Sequence, residues 1–255
     1  MENDNLKLGE YEFKSRFILG SGKFNPELIK ACVDEAGVEI ITLALRRVNE
    51  SQNKNILDFI PKNITILPNT SGARNANEAV RIARLCKELN VSKFIKLEVI
   101  DDSKYLFPNN YETLKATEIL AKEGFIVMVY MHADLGIARS LESAGAAAIM
   151  PLASPIGSNQ GLTQKEMIKI LINEIKTPIV VDAGIGRPSQ ACEAMEIGCD
   201  GVMINTAVAT AGNLPQMARA FKNAVIAGRD AYLAGFGRVK KTASPSSPLT
   251  GFLRD

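Results

Sequence analysis

The sequence contains a single histidine, His132, and its four cysteines show no Cys-x-x-Cys spacing. One histidine leaves almost no material for a histidine metal site or a catalytic triad, so neither kind of site is expected. His132 itself is predicted to be a loop residue at the end of a strand. The cysteines lie in segments with a helical pattern, which indicates reduced, structural thiols: Cys32, Cys86, Cys192 and Cys199.

Long apolar runs and an excess of one charge are absent as well. The longest apolar runs, such as "FIVMVYM" at 125–131, fall short of the roughly 18 residues that a membrane-spanning helix needs. The first residues are acidic and polar, unlike a signal peptide. With 30 basic and 28 acidic residues, the net charge of +2 gives no electrostatic reason to expect nucleic acid or a membrane as partner. We therefore expect a cytoplasmic protein.

What the sequence does contain is a repeated pairing of helix and strand. Four helical segments end at a glycine that an apolar run follows at once, and these glycines are Gly37, Gly124, Gly145 and Gly198. Eight short apolar runs are predicted strands: "RFILG", "EIITLAL", "ITILPN", "FIKLEV", "FIVMVY", "AAAIMPL", "PIVVDAG" and "GVMIN". Helical spacing in "NANEAVRIARLCKEL" and a capping box of Thr163 with Glu166 place two of the helices between them.

Eight alternating units in a chain of 255 residues are typical of a (βα)8 TIM barrel with a parallel eight-stranded sheet. An open doubly wound sheet is the alternative architecture. No linker or change of composition divides the chain, so one barrel domain is predicted for residues 1–255. It would include a short N-terminal extension at about 1–15 and a tail with Ser and Pro at about 238–255.

The strand "FIKLEV" at 94–99 carries two charges in an otherwise apolar run. Because side chains alternate along a strand, Lys96 and Glu98 share one face with Phe94, and the other face is purely aliphatic. The aliphatic face suits packing against helices, so the charges should point into the barrel. An internal salt bridge is the structural alternative, but a buried ion pair is a weak source of stability. A functional role is therefore favoured.

A lysine in a low-dielectric site can lose its proton and attack a carbonyl to form a Schiff base. An ionised Glu98 beside the amine would oppose that loss. We therefore expect Glu98 to lie beside the substrate as a general acid or base.

Three further segments follow predicted strands, at the end of the barrel where such enzymes carry their chemistry. They are "TPIVVDAGIG", "GVMINTAVATAGN" and "PLASPIGSNQGL". In "TPIVVDAGIG" the strand ends at Asp182, which suits acid or base chemistry, although Asp182 could instead cap its own turn. The loops after the last strands usually bind phosphate in this fold. Candidate groups for anion binding are Gly157, Ala183, Gly184, Asn205 and Thr206.

Segments along nearly the whole chain resemble one family. The matching segments, in order, are "LGSGKF", "ITLALRRVN", "LPNTSGARNANEAVRIARL", "FIKLEVI", "MPLASPIGS", "VVDAGIG", "INTAVA" and "AYLAG" with "SSPLTGFL". They resemble bacterial thiazole synthase, the ThiG family of thiamin biosynthesis. The resemblance implies a sulfur-incorporating transferase on a (βα)8 barrel. Its substrates would be 1-deoxy-D-xylulose 5-phosphate, dehydroglycine (2-iminoacetate) and sulfur from the C-terminal thiocarboxylate of a carrier protein.

The resemblance also implies the roles of individual residues. Lys96 would form the Schiff base with the sugar ketone, with Glu98 and Asp182 as acid and base residues. The phosphate contacts would be Gly157, Ala183, Gly184, Asn205 and Thr206. No cofactor or metal is implied, because the substrate is held as a covalent imine. The implied partners are the sulfur carrier and the enzyme that produces dehydroglycine. The resemblance also implies that this chain forms a homotetramer. Asn159 and the segment "YMHADL" depart from the commoner pattern of the family, which leaves the shapes of those loops open.

Two other functions fit part of these observations. A lysine-dependent aldolase for a sugar phosphate would need the same lysine and phosphate site, but it leaves the other matching segments unexplained. A barrel that only docks the sulfur carrier would need no reactive lysine.

Overall fold

The computed structural model describes residues 4–22, 25–44 and 59–244. Parts of three segments that carry the resemblance lie outside these ranges: Lys23 with Phe24, residues 45–49, and "SSPLTGFL" near the C-terminus. Most of the tail predicted at about 238–255 is outside them too. Within the described ranges, no helix is long and apolar enough to cross a membrane.

The eight predicted strands are all present and form one parallel sheet. They are β3 (Phe17–Leu19), β4 (Ile40–Ala44), β5 (Thr65–Asn69), β6 (Phe94–Leu97), β7 (Ile126–Met131), β8 (Ala148–Pro151), β9 (Val180–Val181) and β10 (Gly201–Ile204). The order across the sheet is β8-β7-β6-β5-β4-β3-β10-β9. Parallel bridges from Ile149 to Ile179 and from Leu152 to Asp182 then join the two outer strands. The sheet therefore closes, which confirms the predicted barrel and excludes the open doubly wound sheet.

Helices surround the barrel and connect its strands. They are α1 (Pro26–Ala31), α2 (Ala76–Glu88), α3 (Asn110–Lys122), α4 (Leu135–Ser143), α5 (Lys165–Glu174), α6 (Pro188–Glu196), α7 (Thr206–Ala209) and α8 (Leu214–Ala234), and a π-helical turn, Cys32–Ala36, extends α1. Several begin at an Asn or Asp whose side chain accepts a backbone N–H of the first turn: Asn25, Asn75, Asn109, Asp134 and Asn213. The four glycines predicted to follow helices all have positive φ, as a left-handed cap requires.

The predicted capping box at α5 is wrong. The helix begins at Lys165 after Gln164, and no side chain caps it. The Thr163 hydroxyl instead donates to the carbonyl of Ala153, 2.7 Å away in the loop after β8. A tertiary hydrogen bond has thus replaced the local one that the sequence pattern suggested.

A β-hairpin precedes the barrel, in the stretch that the sequence marks only as an extension. Strands β1 (Leu6–Leu8) and β2 (Tyr11–Phe13) pair antiparallel across a tight turn in which Gly9 has a φ of +60°. Side chains of this hairpin pack with the inward-facing residues of the barrel strands, including Phe94 and Met128. The rings of Phe13 and Phe94 meet edge to face with their centroids 6.0 Å apart. The hairpin therefore closes the N-terminal end of the barrel.

A second and larger apolar core lies between the barrel and its helices. Ile95, Leu97 and Val99 all belong to it, whereas Phe94 belongs to the inner core with the hairpin. The alternation predicted for "FIKLEV" is confirmed. The aliphatic face packs outward against helices, and the opposite face points into the barrel.

We predict that the hairpin contributes stability through its buried apolar side chains. Leu8 is fully buried in the inner core, so Leu8→Ala should lower the free energy of unfolding by about 3 kcal/mol. Lys7→Ala is the matched control, because the Lys7 side chain is 68% exposed in the same strand, and it should change that energy by less than about 0.5 kcal/mol. Urea denaturation measures both. Equal, small effects would show that the barrel does not depend on the hairpin.

Candidate active site

Strand β6 positions the charged residues at successive depths in the barrel. Phe94 contacts the hairpin at the closed end, Lys96 lies one layer higher, and Glu98 follows the last residue of the strand. All three side chains face the interior because they are two residues apart. The strand therefore carries a lysine above an apolar floor and a carboxylate nearer to the open mouth.

Asp182 completes a buried ion cluster with these two residues. The Lys96 Nζ atom lies 2.6 Å from Oδ2 of Asp182 and 3.5 Å from Oε2 of Glu98. The three residues are only 5–7% exposed, namely Lys96 6%, Glu98 7% and Asp182 5%. Asp182 directly follows β9, which stands at the far end of the sheet order but lies beside β8 once the sheet has closed, so that two strands separate it from β6. Closure of the barrel thus brings together residues that are far apart in the sequence.

The electrostatics of Lys96 differ from what burial alone predicts. Burial disfavours the charged ammonium, but the charges and hydrogen bonds of Asp182 and Glu98 outweigh it, so the pKa of Lys96 is raised above its ordinary value. Glu98 was expected to lie beside the substrate and not on the amine, but its Oε2 atom lies 3.5 Å from Nζ of Lys96. The amine therefore has two carboxylates beside it that can accept its proton.

Each of the two acidic residues makes a further hydrogen bond, Glu98 through its backbone and Asp182 through its carboxylate. Thr70 is fully buried, and its hydroxyl donates to the Glu98 carbonyl at 2.7 Å and accepts the Glu98 N–H at 2.8 Å. On the other side, Oδ1 of Asp182 accepts the N–H of Ala183 at 2.7 Å. Asp182 therefore caps its own turn with one oxygen and contacts Lys96 with the other. The turn cap that the sequence left open for Asp182 is therefore present, and it leaves Oδ2 for the contact with Lys96.

The cluster lies at the base of a cavity of about 160 Å³. The residues predicted for the site all line this one cavity: Lys96, Glu98, Gly157, Asp182, Ala183, Gly184, Asn205 and Thr206. Sequence reasoning missed other lining residues, among them Gly20, Thr42, Asn69 and Ser71. Gly20 follows β3, Thr42 lies within β4, and Asn69 and Ser71 end and follow β5. Their only sequence signal is that they belong to these strands or to the loops after them.

Small residues and open backbone groups form the upper wall of the cavity. Gly157 and Gly184 have φ values of +75°. A Cβ atom on Gly184 would collide with the side chain of Ser154, so only glycine fits there. Within the described residues, the backbone N–H groups of Gly157, Gly184 and Thr206 donate to no other protein group. Such groups are suited to binding an anion.

The side chain of Asn205 has a structural task that the sequence did not suggest. Its amide, oriented so that both groups are satisfied, donates to the Gly20 carbonyl at 2.9 Å and accepts the Gly22 N–H at 3.1 Å. Gly20 allows this approach, since a Cβ atom there would lie 2.6 Å from the Asn205 Cβ atom. Asn205 thus connects the loop after β10 to the loop after β3. The backbone next to it, at Thr206, remains open to the cavity.

The histidine and the cysteines lie apart from the cavity. His132 directly follows β7, as predicted, and its ring meets Phe107 edge to face at 4.8 Å. Burial lowers the pKa of His132. The four cysteines are free thiols, and burial raises the pKa of Cys32 to about 12 and of Cys86 to about 11. These two thiols are therefore protonated and unreactive near neutral pH.

We predict that Asn205→Asp loosens the loop after β3. A carboxylate can still accept the Gly22 N–H, but it cannot donate to the Gly20 carbonyl, so two acceptors would face each other. Stability should fall by about 1–3 kcal/mol, and the Gly22 amide should exchange faster with deuterium. Asn159→Asp makes the same change at an exposed position on the cavity rim and serves as control. Equal behaviour of the two variants would contradict the role of Asn205.

Comparison with a solved structure agrees with this fold. The crystal structure of the BexX/CysO complex from Amycolatopsis orientalis contains a chain that matches with a TM-score of 0.83 and 31% identity. The match covers 94% of the present chain and 98% of that chain.

Sequence comparisons identify the family. The profile of the thiazole biosynthesis protein ThiG matches residues 7–248. A thiazole synthase of Clostridium beijerinckii is 70% identical over 256 residues, covering 100% of both chains. A thiazole synthase of Campylobacter jejuni is 66% identical over 255 residues, covering 100% of the present chain and 98% of its own. The chain therefore belongs to the ThiG family and is an enzyme with the thiazole synthase activity of thiamin biosynthesis.

Proposed function

We propose that Lys96 forms a Schiff base with the ketone of 1-deoxy-D-xylulose 5-phosphate, the first step in building the thiazole ring. The observation that carries this proposal is the position of Nζ, buried at the base of the cavity between two carboxylates. No other lysine or arginine among the described residues lines this cavity. The amine would attack the carbonyl carbon, and the carbonyl oxygen would leave as water.

The two carboxylates supply the proton transfers that this step needs. With all three groups ionised, the cluster has two negative charges against one positive charge. Transfer of one proton from Lys96 to a carboxylate leaves a neutral amine, an acid and a remaining base within 3.5 Å. The acid can protonate the departing oxygen, and the base can take protons from the bound sugar. Asp182 is the nearer partner, so we assign the first transfer to Asp182 and later transfers at the substrate to Glu98.

The phosphate of the sugar would bind at the upper wall of the cavity. The free N–H groups of Gly157, Gly184 and Thr206 support this placement. Ala183 has a φ of +59°, which turns the chain sharply between Asp182 and Gly184. The Asn205 side chain would act by holding the neighbouring loop, and its backbone would take part in the phosphate site. In this arrangement the ketone and the phosphate of one small substrate lie at opposite ends of the cavity.

The remaining substrates would come from proteins. We infer that dehydroglycine is supplied by a separate enzyme, and sulfur by a carrier protein with a C-terminal thiocarboxylate. The BexX/CysO complex, in which a related chain is bound to a second protein, supports a protein partner. The homotetramer, the cytoplasmic location and a single domain over the whole chain remain predictions from the sequence.

Membership of the ThiG family sets aside the two alternative functions. An aldolase would also use a buried lysine and a phosphate site, but it would not consume a carrier thiocarboxylate. A barrel that only docks the carrier would not need an amine held beside two carboxylates.

We predict that Lys96→Ala and Lys96→Arg both abolish the adduct that borohydride traps with the sugar phosphate. Alanine also leaves two carboxylates buried without their cation, so it should lower stability by about 3–5 kcal/mol. Arginine keeps the positive charge but cannot form an imine. Lys96→Arg therefore tests for imine formation without leaving the two carboxylates unpaired. Mass spectrometry of the reduced protein measures the adduct. Trapping by the Lys96→Arg variant at the wild-type level would overturn the assignment.

We predict that Asp182→Asn and Glu98→Gln still form the imine but lose turnover by at least about 100-fold. Loss of a carboxylate removes a cause of the raised Lys96 pKa, so the pKa falls and trapping should begin at lower pH. The shift should be larger for Asp182→Asn, because Asp182 is the closer partner. Trapping rate against pH and turnover measured separately test both points. Normal turnover in both variants would show that Asp182 and Glu98 have structural roles only.

A further inference from the structure

Tyr130 lies beside the ion cluster, and the proposed Schiff-base chemistry does not use it. It belongs to β7, is fully buried, and has its alternation partners Val129 and Met131 in the outer core. Its side chain therefore points into the barrel, at the level of Met150 on the neighbouring strand β8. It does not line the cavity. Strand β6 pairs Lys96 with Met128 and Leu97 with Val129, so Tyr130 lies level with Glu98, in the barrel wall beside the cavity.

The ring of Tyr130, and not its hydroxyl, contacts the reactive amine. The ring centroid lies 5.2 Å from Nζ of Lys96, within the range of a cation–π interaction. The phenol oxygen is buried and has no hydrogen-bond partner among the described residues. Burial, with the negative charges of Asp182 and Glu98, raises the pKa of Tyr130, so the phenol stays neutral. The ring of Tyr130 therefore stays uncharged while the Lys96 nitrogen beside it gains or loses a proton.

The two charged groups around Nζ, in contrast, can gain a proton and lose their charge. The charged side chains that face Lys96 are Glu98 from its own strand and Asp182 after β9. The surrounding strands add uncharged groups within the described residues: Thr42, Asn69, Thr70, Met150 and Met203. Once a carboxylate has taken the Lys96 proton, its attraction for a cation at Nζ is lost. The attraction of the aromatic ring remains.

We propose that Tyr130 is a positioning residue whose ring holds the Lys96 nitrogen in its cationic states, first the ammonium and later the protonated imine. This inference rests on the proposed Schiff base at Lys96. A ring that favours the cation raises the proton affinity of the amine and stabilises the iminium. Tyr130 itself exchanges no proton and touches no substrate.

The test is the pH dependence of borohydride trapping with 1-deoxy-D-xylulose 5-phosphate. Attack needs the neutral amine, so the initial rate rises with pH through a midpoint that belongs to the coupled cluster. Tyr130→Leu removes the ring, and its midpoint should move about one pH unit lower. At a pH above the midpoint, where the free enzyme holds the neutral amine, the amount of protonated imine at equilibrium should fall about tenfold for the same reason. Tyr130→Phe keeps the ring, so both quantities should stay close to those of the wild type.

Two further variants serve as a substitute for Tyr130→Leu and as a control. Tyr130→Met replaces Leu if the leucine variant does not fold, since methionines already fill the neighbouring interior positions Met128 and Met150. Met150→Ala is the matched control: it removes apolar volume beside Tyr130 but no charge and no aromatic ring, so it should lower stability and leave the midpoint unchanged.

Each contrary result has a distinct meaning. Equal shifts for Tyr130→Phe and Tyr130→Leu would overturn the proposal in favour of the hydroxyl. An unchanged midpoint in the variants without a ring would overturn the proposal, because it would show that Tyr130 only fills space in the barrel interior. Absence of any adduct in the wild type would instead overturn the proposed Schiff base, and this inference with it.

Discussion

The ion cluster of Lys96, Glu98 and Asp182 imposes the main physical constraint on this structure. Removing three charged groups from water is costly, and such a cluster persists only when each group keeps its partners. Here the lysine has a carboxylate on either side. A surplus carboxylate remains, and that surplus makes proton transfer from the amine possible without water. A raised pKa of Lys96 and a role as nucleophile are therefore compatible, because the proton acceptor is already in contact.

The barrel supports this cluster from two directions. Below it, the hairpin and the inward-facing residues of the strands exclude water from the N-terminal end. Above it, turns with positive φ at Gly157, Ala183 and Gly184 expose backbone groups to the cavity. Apolar packing and backbone geometry thus divide the interior into a dry floor, a charged layer and an open mouth. This division follows the usual separation of stability and activity between the two faces of a (βα)8 barrel.

Much of this could be read from the sequence because it depends on local patterns. Alternation along "FIKLEV" predicted which residues face inward, and the strand ends predicted the lining at Asp182 and Thr206. The hairpin was not predicted, since strands of three residues carry too little pattern and their apolar partners lie far away in the sequence. The bonds of Thr70 and Asn205 were also missed. Each joins loops after different strands, so it exists only once the barrel has closed.

The proposed chemistry requires the imine to form on Lys96 and on no other lysine. The most direct measurement reduces wild-type protein with borohydride in the presence of 1-deoxy-D-xylulose 5-phosphate, digests it, and locates the added mass by peptide sequencing. We predict one modified site, Lys96, within the peptide that contains "FIKLEV". An adduct on another lysine, or turnover to the thiazole product with no adduct at any pH, would show that Lys96 does not hold the substrate as an imine.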